Sequence, residues 1–367
     1  MSKTDSAPTS EMGCHSETSK NSTRSDITDS TLSRQAYQIG SQNVFRTWTI
    51  DDFEIGRILG RGRFGSVFAA RSKQDDVLIA LKILFKEQID KYNVRHQVKR
   101  EIKIQHHLRH PNILRLIGYF HDPHRVYILL EFAHGVALYD RLKEKGRLGE
   151  GEAAKYVHQL ADALKYCHTK NVIHRDIKPE SVLIDRDGNA KIADFGWAVE
   201  SNSPQETFCG TLDYLAPEMI NRSAYNHTVC FYLVSFFMIH IVKKGHIIQK
   251  TSDRWTKRQF GELQRDVDNW ALGVLLHEML IGRTPFESTD ENQTLNAIIE
   301  CKVAIHDDLS EGPRDLIKRL VVKKPFMRLP LSEVLTHAWV VYMITRSNSF
   351  LNRHSFHRRI SGSSFSL

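Results

Sequence analysis

The pattern of apolar and polar residues predicts a strand-rich segment followed by helices. Residues 66–70 (SVFAA) are β-branched, aromatic or small and predict a strand. Residues 77–84 (VLIALKIL) are almost continuously apolar and predict a second, buried strand. Farther along, Val98, Ile102 and Leu108 recur at helical spacing, so one face of a helix is expected to pack against that strand.

The chain ends do not follow this pattern. Fifteen of the first 34 residues are Ser or Thr, so residues 1–45 are predicted to be a disordered tail. The segment lacks the apolar core of a signal peptide, which predicts a cytosolic or nuclear chain. The most apolar run is VCFYLVSFFMIHIV at 229–242; as a helix it would span about 21 Å, short of a hydrocarbon core of about 30 Å. We therefore expect no membrane partner.

The net charge of +8 is confined to two segments. Residues 229–264 carry +4 and residues 341–367, with four Arg and no acid, carry another +4. This distribution argues against a nucleic-acid-binding domain. The basic tail at 341–367 is either a solvated segment or a contact for an acidic partner. The five cysteines form no CxxC pair, so reduced, structural thiols are expected.

The glycine cluster GRGRFG at 60–65 is the first sign of chemistry. Because a strand is predicted to follow it, a hairpin over nucleotide phosphates fits better than the strand-to-helix turn of a dinucleotide site. Lys82 lies one hairpin later, where its ammonium can meet phosphates, and Glu101 on the predicted helix can orient it.

The segment HRDIKPESVLI at 174–184 carries the strongest signal. Asp176 is expected to orient the proton of a substrate hydroxyl, with Lys178 near the transferring phosphoryl group. Asp194 begins DFG after a predicted strand at 190–193, where a carboxylate can bind Mg²⁺. APE at 216–218 follows, and this order of motifs is that of a phosphotransferase.

These motifs resemble those of protein kinases, and several stretches resemble the Aurora family of mitotic serine/threonine kinases. The resemblance rests on Trp48 with DFEIG (52–56) and on HLRHPNILRLIGYFHD (107–122), IHRDIKPE (173–180), KIADFGWAV (191–199) and CGTLDYLAPEM (209–219). It implies an α+β, two-lobed fold over 46–340, with a small lobe at about 53–131 and a larger helical lobe at about 132–340. It also implies ATP and Mg²⁺ as cofactors, substrates with basic residues before the target Ser or Thr, and an activator docked on the small lobe. Its implied locations are cytoplasm and nucleus, and the centrosome, spindle or chromosomes in mitosis.

The resemblance also implies individual roles. Catalysis would involve Lys82, Glu101, Asp176 and Lys178, and the metal would be held by Asp194 and Ser181. Nucleotide-binding residues would be Leu59, Gly60, Gly62, Gly65, Val67, Ala80, Lys82, Leu130, Glu131, Ala133, Leu183 and Asp194. Thr207 would be an activating phosphosite paired with Arg100 and Arg175, Glu180 and Thr211 would meet the substrate, and Glu218 would pair with Arg328.

Three features depart from the family. Ser181 stands where such kinases carry Asn, so weaker metal affinity is expected. Glu206 precedes Thr207 where basic residues are usual, so slower self-phosphorylation is expected. Removal of 229–264 would join Thr228 to Arg265 in an uninterrupted kinase sequence. That segment is interpreted as a translated intron, with a true insertion as the alternative.

The sequence therefore predicts an ATP-dependent serine/threonine protein kinase. The rival hypothesis is a catalytically impaired pseudokinase or scaffold, because of Ser181 and the 229–264 segment.

Overall fold

The computed structural model describes residues 35–39, 42–46, 48–62, 64–200, 211–220 and 249–346, with only the backbone for 35–46 and 249–264. Thr207, the apolar run 229–242 and the tail beyond 346 lie outside these residues. The first 47 residues are a separate unit, whose described part is a hairpin of β1 (Gln35–Ile39) and β2 (Gln42–Arg46). Strand pairing there differs from the disorder expected to residue 45, because this stretch contains residues that favour strands.

The second unit begins with an antiparallel sheet of five strands. Their order is β3–β4–β5–β7–β6. The strands are β3 (Phe53–Gly62), β4 (Gly65–Ser72), β5 (Leu78–Phe85), β6 (Leu116–His121) and β7 (Arg125–Glu131). The helices α1 (Lys86–Lys91) and α2 (Arg95–His106) lie between β5 and β6 in sequence. The strands and the helix predicted from the apolar pattern are confirmed.

Successive side chains of β5 point to opposite faces of the sheet, and each face packs in a different hydrophobic cluster. Leu81 and Ile83 belong to one buried cluster, with Phe53 and Tyr127. Leu84 belongs to another, which includes Ile102 from α2. Because successive strand residues point to opposite faces, Lys82 shares the face of Leu84 and points toward α2.

The rest of this unit is mainly helical. Its helices are α3 (Leu138–Lys145), α4 (Glu150–Thr169), α5 (Pro217–Ile220), α6 (Gln249–Ile281), α7 (Glu291–Glu300), α8 (Glu311–Leu320) and α9 (Leu331–Val334). Short strands are β8 (Val136–Ala137), β9 (Val172–Ile173), β10 (Val182–Ile184), β11 (Ala190–Ile192) and β12 (Val199–Glu200). They form the sheets β11–β10–β8 and β12–β9. This is the α+β, two-part architecture that the motifs implied.

The helix α6 is the axis of the helical part. It runs for 33 residues, and the stretch around Trp270 and Leu275 is fully buried in the main core with α4. The helix begins inside the 229–264 segment, so the described backbone of 249–264 continues directly into the buried stretch of α6. No helix among the described residues combines the length and apolar character needed to cross a bilayer.

The described chain ends in a helical stretch over 338–346. Met343 and Ile344 pack against the main core. The folded part therefore extends past residue 340, where the tail was expected to begin, because these two apolar residues have a core to cover.

A buried ion pair links the end of the activation segment to the last third of the chain. Arg328 donates to both carboxylate oxygens of Glu218, at 2.5 and 2.7 Å, and to the Asp266 carbonyl oxygen at 2.9 Å. Its guanidinium also lies 5.0 Å from the ring centre of Trp270. The pair implied by the family resemblance is thus present, with the Arg328 side chain fully buried and that of Glu218 13% exposed.

We expect Arg328→Met to lower the free energy of unfolding by about 3–5 kcal/mol, because it leaves the Glu218 carboxylate without its partner. Thermal and urea denaturation measure this change. Arg319→Met is the matched control, since Arg319 and Asp315 form an exposed pair at 3.0 Å whose loss should cost less than about 1 kcal/mol. Equal losses in the two variants would contradict the assigned role of burial.

Candidate functional site

The glycine-rich turn joins β3 to β4. Gly62 pairs with Gly65 across the turn, and Gly60 pairs with Val67. A Cβ atom on Gly65 would lie 1.8 Å from the Ile83 carbonyl oxygen, so only glycine fits there. Because a strand follows the glycines, the hairpin interpretation is confirmed over a strand-to-helix turn. A glycine hairpin can bring backbone close to phosphate oxygens, since it has no side chains in the way.

Lys82 forms a short ion pair with Glu101. The Lys82 Nζ lies 2.6 Å from the Glu101 Oε1, and the glutamate side chain is only 8% exposed. Burial by itself would lower the pKa of Lys82, but Glu101 and Asp194 together hold that pKa above its usual value. Lys82 is therefore a fixed cation, positioned by a carboxylate from α2.

Asp194 stands beside this cation, directly after β11. Burial opposes its ionisation, but Lys82 and the Gly196 N–H hold the pKa of the carboxyl below its usual value. Asp194 has a φ of 56°, a left-handed conformation that is rare outside glycine. A Cβ on Gly196 would lie 3.1 Å from the Asp194 Oδ1, so the glycine leaves room for the carboxylate. The result is an anion with a fixed direction, suited to a divalent cation.

Asp268 on α6 holds the loop that contains Asp176 through hydrogen bonds to the loop backbone. The fully buried Asp268 carboxylate accepts hydrogen bonds from the backbone N–H groups of His174 and Arg175, at 3.0 and 2.8 Å. Its Oδ2 also lies 2.8 Å from the His168 Nε2. Burial opposes ionisation, but His168 and the backbone donors hold the pKa of Asp268 below its usual value. Arg175 has a φ of 68°, and the bond to Asp268 helps hold this strained turn.

Asp176 is the buried carboxylate at the centre of the loop. Its side chain is 2% exposed, and its Oδ2 lies 3.0 Å from the Lys178 Nζ. Its Oδ1 is buried and has no hydrogen-bond partner among the described residues. Lys178 also donates to the Thr211 Oγ1 at 2.7 Å. The structure thus brings Asp176, Lys178 and Thr211 together and leaves the Asp176 Oδ1 without a partner among the described residues.

Ser181 is tied to the backbone of the same loop. Its Oγ lies 2.9 Å from the Asp176 carbonyl oxygen and 3.0 Å from that of Lys178, and it accepts from the Lys178 N–H at 3.1 Å. Ser181 is 1% exposed. The Ser181 hydroxyl therefore donates its proton to a backbone carbonyl of the loop. Because its oxygen also accepts one hydrogen bond, it keeps at most one lone pair for a metal.

The residues expected around an adenine ring lie where the two parts of the unit join. Ala80 pairs with Leu130 across β5 and β7. The strand β7 ends at Glu131, and the chain passes Ala133 before β8, whose Ala137 pairs with Leu183 on β10. Leu59 at the end of the glycine hairpin is 39% exposed, as a residue facing an open cleft would be.

Glu131 is also tied to the strand that leads to Asp194. Lys191 on β11 lies 2.9 Å from the Glu131 Oε1 and donates to the Pro111 carbonyl oxygen at 2.9 Å. The backbone N–H of Glu131 donates to the Arg115 carbonyl oxygen at 2.8 Å. These contacts link the end of β7, where an adenine ring is expected, to β11, the strand that leads to Asp194.

The predicted phosphate-pairing arginines are only partly defined. Arg175 donates from its Nε to the Trp197 carbonyl oxygen at 2.9 Å. Arg100 lies on α2, one residue before Glu101. Their partner Thr207 lies outside the described residues, so pairing with a phosphate stays a prediction.

Acidic residues lie next to the catalytic loop. Glu180 is exposed, and Tyr214 donates from its hydroxyl to the Glu278 carboxylate. Burial raises the pKa of Glu278 above its usual value, and Glu180, Asp213 and Glu287 raise it further. The charges of these carboxylates thus act on the same partly buried glutamate beside the catalytic loop.

Sequence reasoning missed several contributors to this site. Gln97 on α2 donates to the Gly196 carbonyl oxygen at 2.8 Å, and its position one turn before Glu101 was the available signal. Glu278 lies ten residues after Asp268 on α6, and no local motif connects it with Glu180. Lys191 was read only as part of a strand.

Comparison with known proteins agrees with this geometry. The protein kinase domain family matches residues 53–265 and 258–340. An Aurora kinase of Dictyostelium discoideum is 44% identical over 296 residues, which cover 80% of this chain and 67% of that protein. Aurora kinase B-A of Xenopus laevis is 45% identical over 296 residues, covering 80% and 72%. Aurora kinase A-A of the same frog is 43% identical over 297 residues, covering 81% and 64%. The placement of Lys82, Asp176 and Asp194 is consistent with these matches. The chain belongs to the protein kinase family and, within it, to the Aurora serine/threonine kinases.

Proposed function

We propose that this mitotic serine/threonine kinase uses Mg²⁺ with ATP and acts on proteins with Arg or Lys shortly before the acceptor hydroxyl. The observation that carries the proposal is the Asp176 Oδ1, a buried carboxylate oxygen without a partner among the described residues. A buried acceptor of this kind costs free energy unless a ligand satisfies it. A substrate hydroxyl that donates to this oxygen would be aligned for attack on the γ-phosphorus.

The remaining side chains would act mainly by position and charge. Lys82, held by Glu101, would contact the nucleotide phosphates, and Lys178 would neutralise charge on the transferring phosphoryl group. Leu59, Gly60, Gly62, Gly65, Val67, Ala80, Leu130, Glu131, Ala133 and Leu183 would enclose the nucleotide. Preorganised charges of this kind lower the barrier because they need not reorient during the reaction.

The donor set fits a magnesium ion. Asp194 offers an ionised oxygen, and Ser181 offers a neutral one, which are the hard ligands that Mg²⁺ prefers. The ion, when bound with the nucleotide, supplies neutralisation of phosphate charge. Asp194 and Ser181 would hold it, with Ser181 the weaker ligand because one lone pair of its oxygen already accepts the Lys178 N–H.

The acidic residues beside the catalytic loop support the substrate preference. Glu180, Asp213 and Glu287 each raise the pKa of the Glu278 carboxyl through their charge. A guanidinium from a bound peptide would replace repulsion by attraction. Arg100 and Arg175 would pair with a phosphate on Thr207, and an activator would dock on the small lobe. Cytoplasm, nucleus and, in mitosis, centrosome, spindle or chromosomes are the proposed locations.

A pseudokinase is the second candidate, and two observations favour it. The Ser181 hydroxyl is occupied by backbone, and the 229–264 segment enters α6 from its amino end. We propose that this segment is an addition to the kinase fold, in keeping with the division of the family match near 258–265.

Lys82→Met tests the function. We expect turnover of a basic peptide to fall by about 10²–10³-fold, because the charge facing the phosphates is lost. Lys73→Met, on an exposed residue just after β4, is the control and should keep full activity. Equal turnover in both variants, measured by phosphate incorporation, would defeat the proposal.

Ser181→Asn tests the metal assignment. The longer amide should lower the half-saturating Mg²⁺ concentration by about tenfold, because it offers an oxygen that is not already bound to the loop. Ser181→Ala should reduce stability by about 1–3 kcal/mol, since loop groups lose a partner. A Mg²⁺ titration of turnover that is the same for wild type and Ser181→Asn would contradict the assignment.

Deletion of 229–264 separates the kinase from the pseudokinase. Arg265, which follows the deletion, donates to the Asn171 side chain at 2.8 Å, so α6 would keep this contact with the region before β9. We expect the shortened chain to phosphorylate a basic peptide at least as fast as the full chain. Absence of turnover in both, with both folded by circular dichroism, would establish the scaffold instead.

A further inference from the structure

Lys191 lies on the same face of the β11–β10–β8 sheet as two residues expected near the nucleotide. Leu183 pairs with Lys191 on one side and with Ala137 on the other. Directly paired residues of neighbouring strands present their side chains to the same face of a sheet. The flanking residues of β10 and β11 are buried in the main core, whereas Leu183 and Lys191 are only partly buried. Lys191 therefore shares the face of Leu183, which is expected beneath an adenine ring.

The Lys191 ammonium has two acceptors on the neighbouring chain. Its Nζ lies 2.9 Å from the Glu131 Oε1 and donates to the Pro111 carbonyl oxygen at 2.9 Å. An exposed ion pair contributes little, because water screens the charges and two flexible side chains lose freedom. The Lys191 side chain, however, is only 14% exposed and that of Glu131 34%. With a second acceptor and little water around it, this lysine is fixed in direction.

Glu131 is held from its other side by the backbone of Arg115. The Glu131 Oε2 accepts from the Arg115 N–H at 3.2 Å, and the Glu131 N–H donates to the Arg115 carbonyl oxygen at 2.8 Å. Side chain and backbone of Glu131 are thus bound to the same residue. A contact that fixes the carboxylate, such as that of Lys191, therefore also fixes the backbone at the end of β7.

The connection from β7 to β8, residues 132–135, is attached to the β11–β10–β8 sheet at both ends. At its far end, a Cβ atom on Gly135 would lie 1.6 Å from the Ile184 carbonyl oxygen, so the backbone of Gly135 lies directly against β10. At its near end, the Lys191–Glu131 pair makes the attachment. Ala133, one of the residues proposed to enclose the nucleotide, lies between these two points. A short segment held at both ends offers a ligand a preformed edge, which lowers the entropic cost of binding.

We propose that Lys191 is a positioning residue for the nucleotide, because it holds Glu131 and the connection 132–135 in the place that an adenine ring requires. The inference rests on the proposed function, and within it on the nucleotide site. Lys191 acts through Glu131 and not on the reacting phosphates. Its loss should therefore weaken binding of the nucleotide and leave the phosphoryl-transfer step nearly unchanged.

The test compares Lys191→Met with Lys191→Arg in the purified full chain. Methionine keeps an unbranched stem without the charge, whereas arginine keeps the charge and the donors. We expect Lys191→Met to raise the KM for ATP about tenfold and to change kcat less than about twofold, because a charge-assisted hydrogen bond that positions the nucleotide is lost. Lys191→Arg should stay within about threefold of the wild-type KM, since a guanidinium can also bind a carboxylate.

Adenosine isolates the adenine contact from those of the phosphates and the metal, because it carries no phosphate. Its Kd is measured by isothermal titration calorimetry, which needs no turnover. We expect this Kd to rise in Lys191→Met by the same factor as the KM for ATP. A lysine that served only stability would lower the Tm and leave the Kd for adenosine unchanged.

A double-mutant cycle tests whether Lys191 acts through Glu131. Glu131→Gln keeps the size of the side chain and an acceptor for the Arg115 N–H, but it removes the charge. If the pair acts as a unit, the double variant should bind adenosine no more weakly than the weaker of the two single variants. Lys302→Met is the matched control, because Lys302 pairs with Glu300 while its side chain is 74% exposed. Its Kd for adenosine should equal that of the wild type.

The outcomes separate this inference from the proposed function. If the wild type binds adenosine and Lys191→Met binds it equally well, the inference is overturned and the proposed function stands. Fully additive losses in the double variant, or an equal loss in Lys302→Met, would overturn the inference as well. If the wild type binds neither adenosine nor ATP, the inference and the proposed function are both overturned. If the wild type binds nucleotide without turnover, the scaffold is favoured, and the Kd values for adenosine still decide the role of Lys191.

Discussion

The site depends on one buried carboxylate, that of Asp268. Removal of a charge from water costs several kcal/mol unless hydrogen bonds replace the water. Asp268 meets this condition by accepting two backbone N–H groups from the loop that holds Asp176, with His168 as a third partner. The carboxylate therefore cannot be satisfied unless the loop is folded, and the loop keeps its strained turn at Arg175 because the carboxylate holds it. Fold and site are coupled through this contact.

The charged groups in the cleft are likewise stabilised by oppositely charged neighbours. Lys82 lies between Glu101 and Asp194, so the pKa of the ammonium is raised while that of Asp194 is lowered. Each charge is supplied by a different element, β5, α2 and the end of β11. A shift of α2 would change all three together, and Gln97 adds a further contact between that helix and the DFG segment. The small lobe can thus control the metal-binding end through one helix.

The acidic residues beside the catalytic loop show the opposite arrangement. Glu180, Asp213 and Glu287 add to the effect of burial in raising the pKa of Glu278, and its partner, the Tyr214 hydroxyl, is neutral. Under the proposed function, a basic group of the substrate would be the cation that these carboxylates lack.

Prediction from the sequence succeeded where the relevant information is local. The strand around Lys82 follows from a nearly continuous apolar run, and the glycine hairpin from the lack of a side chain at Gly65. Motif order gave the fold, while the roles of Asp176 and Asp194 stay predictions. The prediction differed at the chain ends, where a hairpin forms before residue 47 and helix continues to 346. Those boundaries depend on which apolar residues near the ends can pack against other parts of the protein.

Order, spacing and chemical type of the motif residues were determined by the sequence alone, because they are properties of the linear chain. Only the tertiary structure decided how they are held. It joined Lys191 to Glu131, tied the Ser181 hydroxyl to the loop backbone and brought Glu278 near Glu180. Contacts between residues this far apart, or between a side chain and backbone, have no signature in a linear pattern, because they arise from packing of separate elements around α6. Burial then set the pKa shifts, since desolvation exists only once the chain has folded.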